Sequence, residues 1–99
     1  MNIYKVSQSL NNDYDTFSDF VCIAESEQAA REIHPYESVT HWRDGQWYGK
    51  NNDGTEREVE FLACAWVGAD EIWKLDVTMI GVTCDDQPKG VVCASFHAG

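Results

Sequence analysis

The sequence predicts an α+β domain: a mainly antiparallel sheet of about five strands, with one short helix at about residues 27–33 packed on one face. Three observations lead there. Apolar and polar residues alternate with period two, most cleanly where Trp73, Leu75, Val77 and Met79 are separated by Lys74, Asp76 and Thr78. Turn dipeptides, Asp44-Gly45 above all, punctuate the apolar runs. A single segment, after Ser26, carries helix-starting chemistry, and strands that outnumber one helix receive it across one face of their sheet. Ninety-nine residues make one domain, 1–99, with no room for a second core.

Along the chain, Asn2 to Ser9 reads as a strand with Tyr4 and Val6 on one face. Leu10 to Ser18 is polar, and Asn11-Asn12-Asp13 favours a turn. Phe20 to Ala24 is a continuous apolar run, as in a strand buried on both faces. Ser26 then caps the helix with its hydroxyl, Glu27 suits the positive end of the helix dipole, and Pro35 pushes His34 out of helical geometry. A short hairpin with aromatic flanks is expected within Tyr36 to Asn52, around Asp44-Gly45. Asn51 to Gly54 marks a turn before a half-buried strand over Glu56 to Val67, with Val59, Phe61 and Ala63 in alternation. Gly68-Ala69-Asp70 breaks that strand, the alternating segment 73–79 follows, and Asp85 to Gly90 turns into a closing strand, Val91 to Phe96. If Trp73 and Leu75 share the apolar face, replacing either with Ala removes about 2–5 kcal/mol, whereas Lys74 points away.

Charge narrows the function. Seventeen Asp and Glu against seven Lys and Arg leave a net charge of −10, a field that repels nucleic acid and anionic lipid and attracts basic partners. With 43% apolar residues and 12% aromatics, the acidity does not signal disorder. The longest apolar runs are far too short to cross a bilayer. The start, Met1 to Lys5, has no charged region followed by an apolar one, so a cytosolic setting is expected. Cys22, Cys64 and Cys93 sit in apolar runs, where reduced and buried thiols are expected; Cys84, beside Asp85 and Asp86, reads as the accessible one.

Two segments stand out together. One is the strand-then-helix block Val21-Cys22-Ile23-Ala24-Glu25-Ser26-Glu27-Gln28-Ala29-Ala30-Arg31-Glu32-Ile33-His34-Pro35. The other is the ending Lys89-Gly90-Val91-Val92-Cys93-Ala94-Ser95-Phe96-His97-Ala98-Gly99, with Trp66-Val67 and Ile80-Gly81 in similar places. Together they resemble small uncharacterised accessory proteins of bacteriophages and prophages; the resemblance implies a phage-type accessory protein, and it carries no catalytic residue to transfer. Small acidic proteins of that kind often inhibit host defence or host enzymes.

No catalytic or metal motif stands out. There is no Cys-x-x-Cys, and His34, His41 and His97 lack metal-ligand spacing, so no metal and no cofactor are expected. No base, nucleophile and oxyanion set can be named, and Glu56, Glu58 and Glu60 read as one solvated strand face. The expected function is therefore a non-enzymatic acidic binding protein that docks on a basic surface of a host protein, such as a defence or nucleic-acid-handling factor. Asp13, Asp15 and Asp19, in a stretch without Lys or Arg, with Trp42, Trp47 and Tyr48 beside Arg43, are the candidate contact residues. Covering one end of the core is the commoner outcome for Trp42, Trp47 and Tyr48. The alternative is a small-ligand or signalling-nucleotide binder with its pocket near the Trp-rich segment 36–50.

Overall fold

The computed structural model describes residues 1–10, 16–59, 66–83 and 88–97, with the backbone alone at 95–97. Among the described residues seven strands form two antiparallel sheets, where the sequence suggests about five in one. The larger sheet holds β1 (Asn2–Ser7), β2 (Thr16–Ala24), β6 (Asp76–Val82) and β7 (Gly90–His97), in the order β6-β1-β2-β7. The smaller is a meander of β3 (Val39–Arg43), β4 (Gln46–Lys50) and β5 (Glu56–Glu58). A helix α1 (Glu27–Arg31), two residues shorter than expected, packs against β1, β2 and β6. A 3₁₀ helix (Ala69–Lys74) contacts β4. The α+β, mainly antiparallel class thus holds, and the expected count of strands and helices is only roughly matched.

Alternation decides what the larger sheet buries. Tyr4 and Val6 on β1 face inward, beside Phe20, Cys22 and Ala24 on β2. Val21 and Ile23 point the other way and are only half-buried, so β2 is not enclosed on both sides. An apolar outward set hid the alternation there. Phe20 packs on Trp66, with ring centroids 5.2 Å apart. Burial pushes the Cys22 thiol up to about 11, Lys89 opposing the shift, and leaves it a poor nucleophile. Cys93 lies opposite Val21 and is exposed, which corrects the expected burial; Cys64 and Cys84 lie outside the described residues.

Both edge strands of this sheet carry a bulge. Ile3 faces Gly81 while Tyr4 faces Met79, which leaves Ile80 unpaired in β6. Val21 faces Cys93 while Cys22 faces Val91, which leaves Val92 unpaired in β7. An extra residue twists an edge away from further pairing, so these apolar edges are blunted by geometry rather than by charge.

The hairpin forms where Asp44-Gly45 demands it. Both residues have positive φ, 51° and 80°, as in the two-residue turn that matches strand twist. Trp42 and Trp47 face each other across it. Each indole N–H then reaches out of its sheet: Trp42 Nε1 donates to the Ala69 carbonyl at 2.8 Å and Trp47 Nε1 to the Val67 carbonyl at 3.0 Å. A methyl group at Gly49 would stand 2.5 Å from the Ser38 carbonyl, so β4 approaches that turn closely enough to require glycine.

The segment 66–75 differs most from expectation. Its residues 69–74 wind into a 3₁₀ helix, whose period of three turns Ala69 and Ile72 inward. Trp73 is consequently 69% exposed while Leu75 is 3% exposed, so the two do not share a face. Arg31 holds the end of this turn, its Nη1 donating to the carbonyls of Ile72 (3.0 Å), Trp73 (3.2 Å) and Leu75 (2.6 Å). Met79 is also largely exposed. Of the expected strand over Glu56 to Val67 only Glu56–Glu58 is strand among the described residues; Val59, Trp66 and Val67 lie outside any strand, and 60–65 lie outside the described residues. No helix among the described residues is long and apolar enough to cross a membrane.

Candidate functional site

Two clefts flank the smaller sheet. The first, of about 510 Å³, lies between the hairpin turn (Gly45, Gln46), Trp47, the end of β5 (Glu58, Val59) and the start of the 3₁₀ helix (Gly68 to Glu71). Among the described residues its lining holds three carboxylates, Glu58, Asp70 and Glu71, and no Lys, Arg or His. Backbone pairing builds the wall: Val59 N donates to the Trp47 carbonyl at 2.9 Å, and Gln46 Nε2 donates to the Val59 carbonyl at 3.0 Å. The carboxylates project from a framework fixed by the two indole tethers. Glu71 shares its charge with Lys74 at 3.7 Å, whereas Glu58 and Asp70 make no ion pair among the described residues. Opposite charge is what such a cleft favours.

The second cleft, about 490 Å³, runs from the end of α1 to β7 and is lined by both signs of charge, Glu32 and Glu37 with Lys89, beside His34, His41 and Trp42. His34 is buried, its Nδ1 accepting from the Tyr36 amide at 3.0 Å and its ring meeting Trp47 edge-on at 4.9 Å.

Beside this cleft, a polar cluster sits on the outer side of the smaller sheet. Arg43 Nη1 and Nη2 donate to Glu56 Oε1 and Oε2 at 3.1 and 2.5 Å, and His41 Nε2 meets Oε1 at 2.7 Å. The Arg43 guanidinium lies 4.4 Å from the Tyr48 ring centre, and His41 stacks on the same ring at 5.2 Å. Thr40 is the extra residue of a bulge, since Val39 faces Gly49 while His41 faces Tyr48. The bulge brings the Thr40 hydroxyl within 2.9 Å of His41 Nδ1, although neighbours in a regular strand point apart. Both Glu56 oxygens are engaged, so the cluster is electrostatically closed and ties β3 to β5 across β4.

Arg43 holds the Glu56 carboxyl below its ordinary value of 4.5, with His41 assisting. A lowered folded-state value means stabilisation that is present above the unfolded value and disappears as pH falls through the folded one. Glu56→Gln is therefore expected to lower thermal stability at neutral pH and to match the parent at strongly acid pH, where both side chains are uncharged. Melting curves across the acid range check this. An equal deficit at both ends would show that geometry, not charge, is at work.

The candidate contact residues that are described do not share one surface. Asp13 and Asp15 lie outside the described residues. Asp19 is half-buried on β2, opposite Ser7, in the other sheet from the aromatic residues. Trp42 is half-buried with its N–H committed, and Tyr48 lies under Arg43. Trp47 is 1% exposed and belongs to the core, so it backs the first cleft rather than standing out as an exposed anchor. The first cleft's residues were passed over because Gly68-Ala69-Asp70 reads as a break and Glu58 as one of a solvated row. The signal for them is the spacing of three that pairs Ala69 with Ile72 and Glu71 with Lys74.

The chain matches no protein-family profile, no curated protein and no solved structure. Among the described residues, no three His, Cys, Asp or Glu side chains are grouped as metal ligands.

Proposed function

We propose that the protein is a non-enzymatic binding protein that docks its acidic surface on a basic surface of a partner protein. The observation that carries this reading is the first cleft, where three carboxylates line a framed concavity with no cationic side chain among its described lining residues, on a chain of net charge −10. Such a cleft accepts the Lys and Arg side chains of a partner and draws that partner in over a distance set by salt. Proteins that handle nucleic acid have surfaces of this kind, and the resemblance to small phage proteins would make the partner a host factor. Contact is centred on the cleft rather than on the Trp-rich hairpin, because Trp47 is core.

The test is titration with an arginine-rich peptide, and with the same peptide bearing Glu at each Arg, at ionic strengths of about 0.01 M and 0.15 M, where the screening length drops from about 30 to 8 Å. Binding of the basic peptide alone, weakening as salt rises, is expected. Salt-independent binding, or none, contradicts the reading.

The second cleft favours one other reading, a small-ligand site along the Trp-rich segment, because it offers an indole, two imidazoles and both signs of charge. A molecule retained through purification and seen by native mass spectrometry would favour it.

A further inference from the structure

Trp73 is 69% exposed, whereas Trp47 and Trp66 are 1% and 0% exposed. The 3₁₀ helix explains how it is displayed. With three residues per turn, side chains three apart eclipse one another. Ala69 and Ile72 are buried, Glu71 and Lys74 pair at 3.7 Å, and Asp70 and Trp73 are both exposed on the remaining side. Asp70 also lines the acidic cleft, so the indole stands beside its rim. An indole held in solvent forgoes the burial that an aromatic side chain contributes to a fold, and Trp is the residue type most often found as an interface anchor. The ring already attracts a cation, since Lys74 Nζ lies 5.2 Å from its centre.

We propose that Trp73 is the docking anchor for an arginine side chain on an exposed segment of the partner, with Asp70 and Glu58 receiving its N–H donors. This rests on the docking reading above and names its anchor. Charge complementarity selects the occupant: the described cleft lining holds no Lys, Arg or His, and the cation beside the indole, Lys74, makes an exposed and therefore weak pair that an incoming group displaces readily. Arginine fits better than lysine, because its planar, weakly hydrated guanidinium stacks on an indole while its edge still donates to carboxylates.

The experiment uses the full chain, an arginine-rich peptide and its lysine counterpart, with affinity and acrylamide quenching of indole fluorescence as readouts. The mostly exposed Trp73 is expected to dominate quenching in the free protein, which loss of that signal in Trp73→Phe would verify. Saturating arginine peptide is expected to protect it, and the lysine peptide to bind more weakly. Trp73→Ala is expected to reduce affinity about tenfold with an unchanged melting temperature, and Trp73→Phe to retain most of it. If the arginine peptide binds in a salt-sensitive way but leaves quenching unchanged, or binds Trp73→Ala as tightly as the parent, the anchor is overturned while the docking reading survives. If neither peptide binds, both fail.

Discussion

Trp47→Ala is expected to destabilise the domain by about 3–5 kcal/mol, the largest single effect that the structure implies. The side chain is 1% exposed, lies against His34 and donates its N–H to the Val67 carbonyl. Truncation leaves a cavity the size of an indole, strands a carbonyl and releases the segment that carries the 3₁₀ helix. Trp73→Ala should by contrast change stability by less than about 0.5 kcal/mol, as exposed substitutions usually do. Urea midpoints for the two variants separate them. Equal costs would mean that the segment 66–75 is packed in another register.

That pair of residues also measures how far the sequence can be read. Tyr4 and Val6 were legible because β1 alternates cleanly, and the hairpin was legible because Asp44-Gly45 admits positive φ at both positions. Ser26 capped the helix as its hydroxyl suggests, accepting from the Ala29 amide at 3.1 Å. The stretch from Trp73 to Met79 misled, because the alternation across 73–75 coincides with the last turn of a 3₁₀ helix. Period two and period three agree on Leu75 for different reasons, and only tertiary contacts, the Arg31 clamp and the Ala69 and Ile72 burial, decide between them. Charge was legible in amount and not in place. A count of 17 acids says nothing of which carboxylates converge, and Glu58 meets Asp70 across a cleft that exists only after Trp42 and Trp47 have tied their hairpin to residues 67–69. Bulges were invisible as well, yet the one at Thr40 brings its hydroxyl to His41.

The cleft makes the second large prediction. Neutralising Glu58, Asp70 and Glu71 together, as Glu58→Gln, Asp70→Asn and Glu71→Gln, should weaken binding of an arginine-rich peptide roughly 10-fold to 100-fold, from three contacts of about 0.5–1 kcal/mol each. Loss of overall charge alone would do less, because a diffuse field mainly sets the association rate. The contrast needs a partner variant of equal charge. Asp13→Asn, Asp15→Asn and Asp19→Asn also remove three negative charges, and each triple takes the net charge from −10 to −7, since −10 + 3 = −7.

The most direct measurement is therefore the dissociation constant of the arginine-rich peptide for the parent and both triple variants, at one low ionic strength. A large loss confined to the cleft triple, with the N-terminal triple close to the parent, is the result expected of a site. Equal losses in the two triples, or a greater loss at Asp13, Asp15 and Asp19, would contradict it and leave the cleft with no special part in docking.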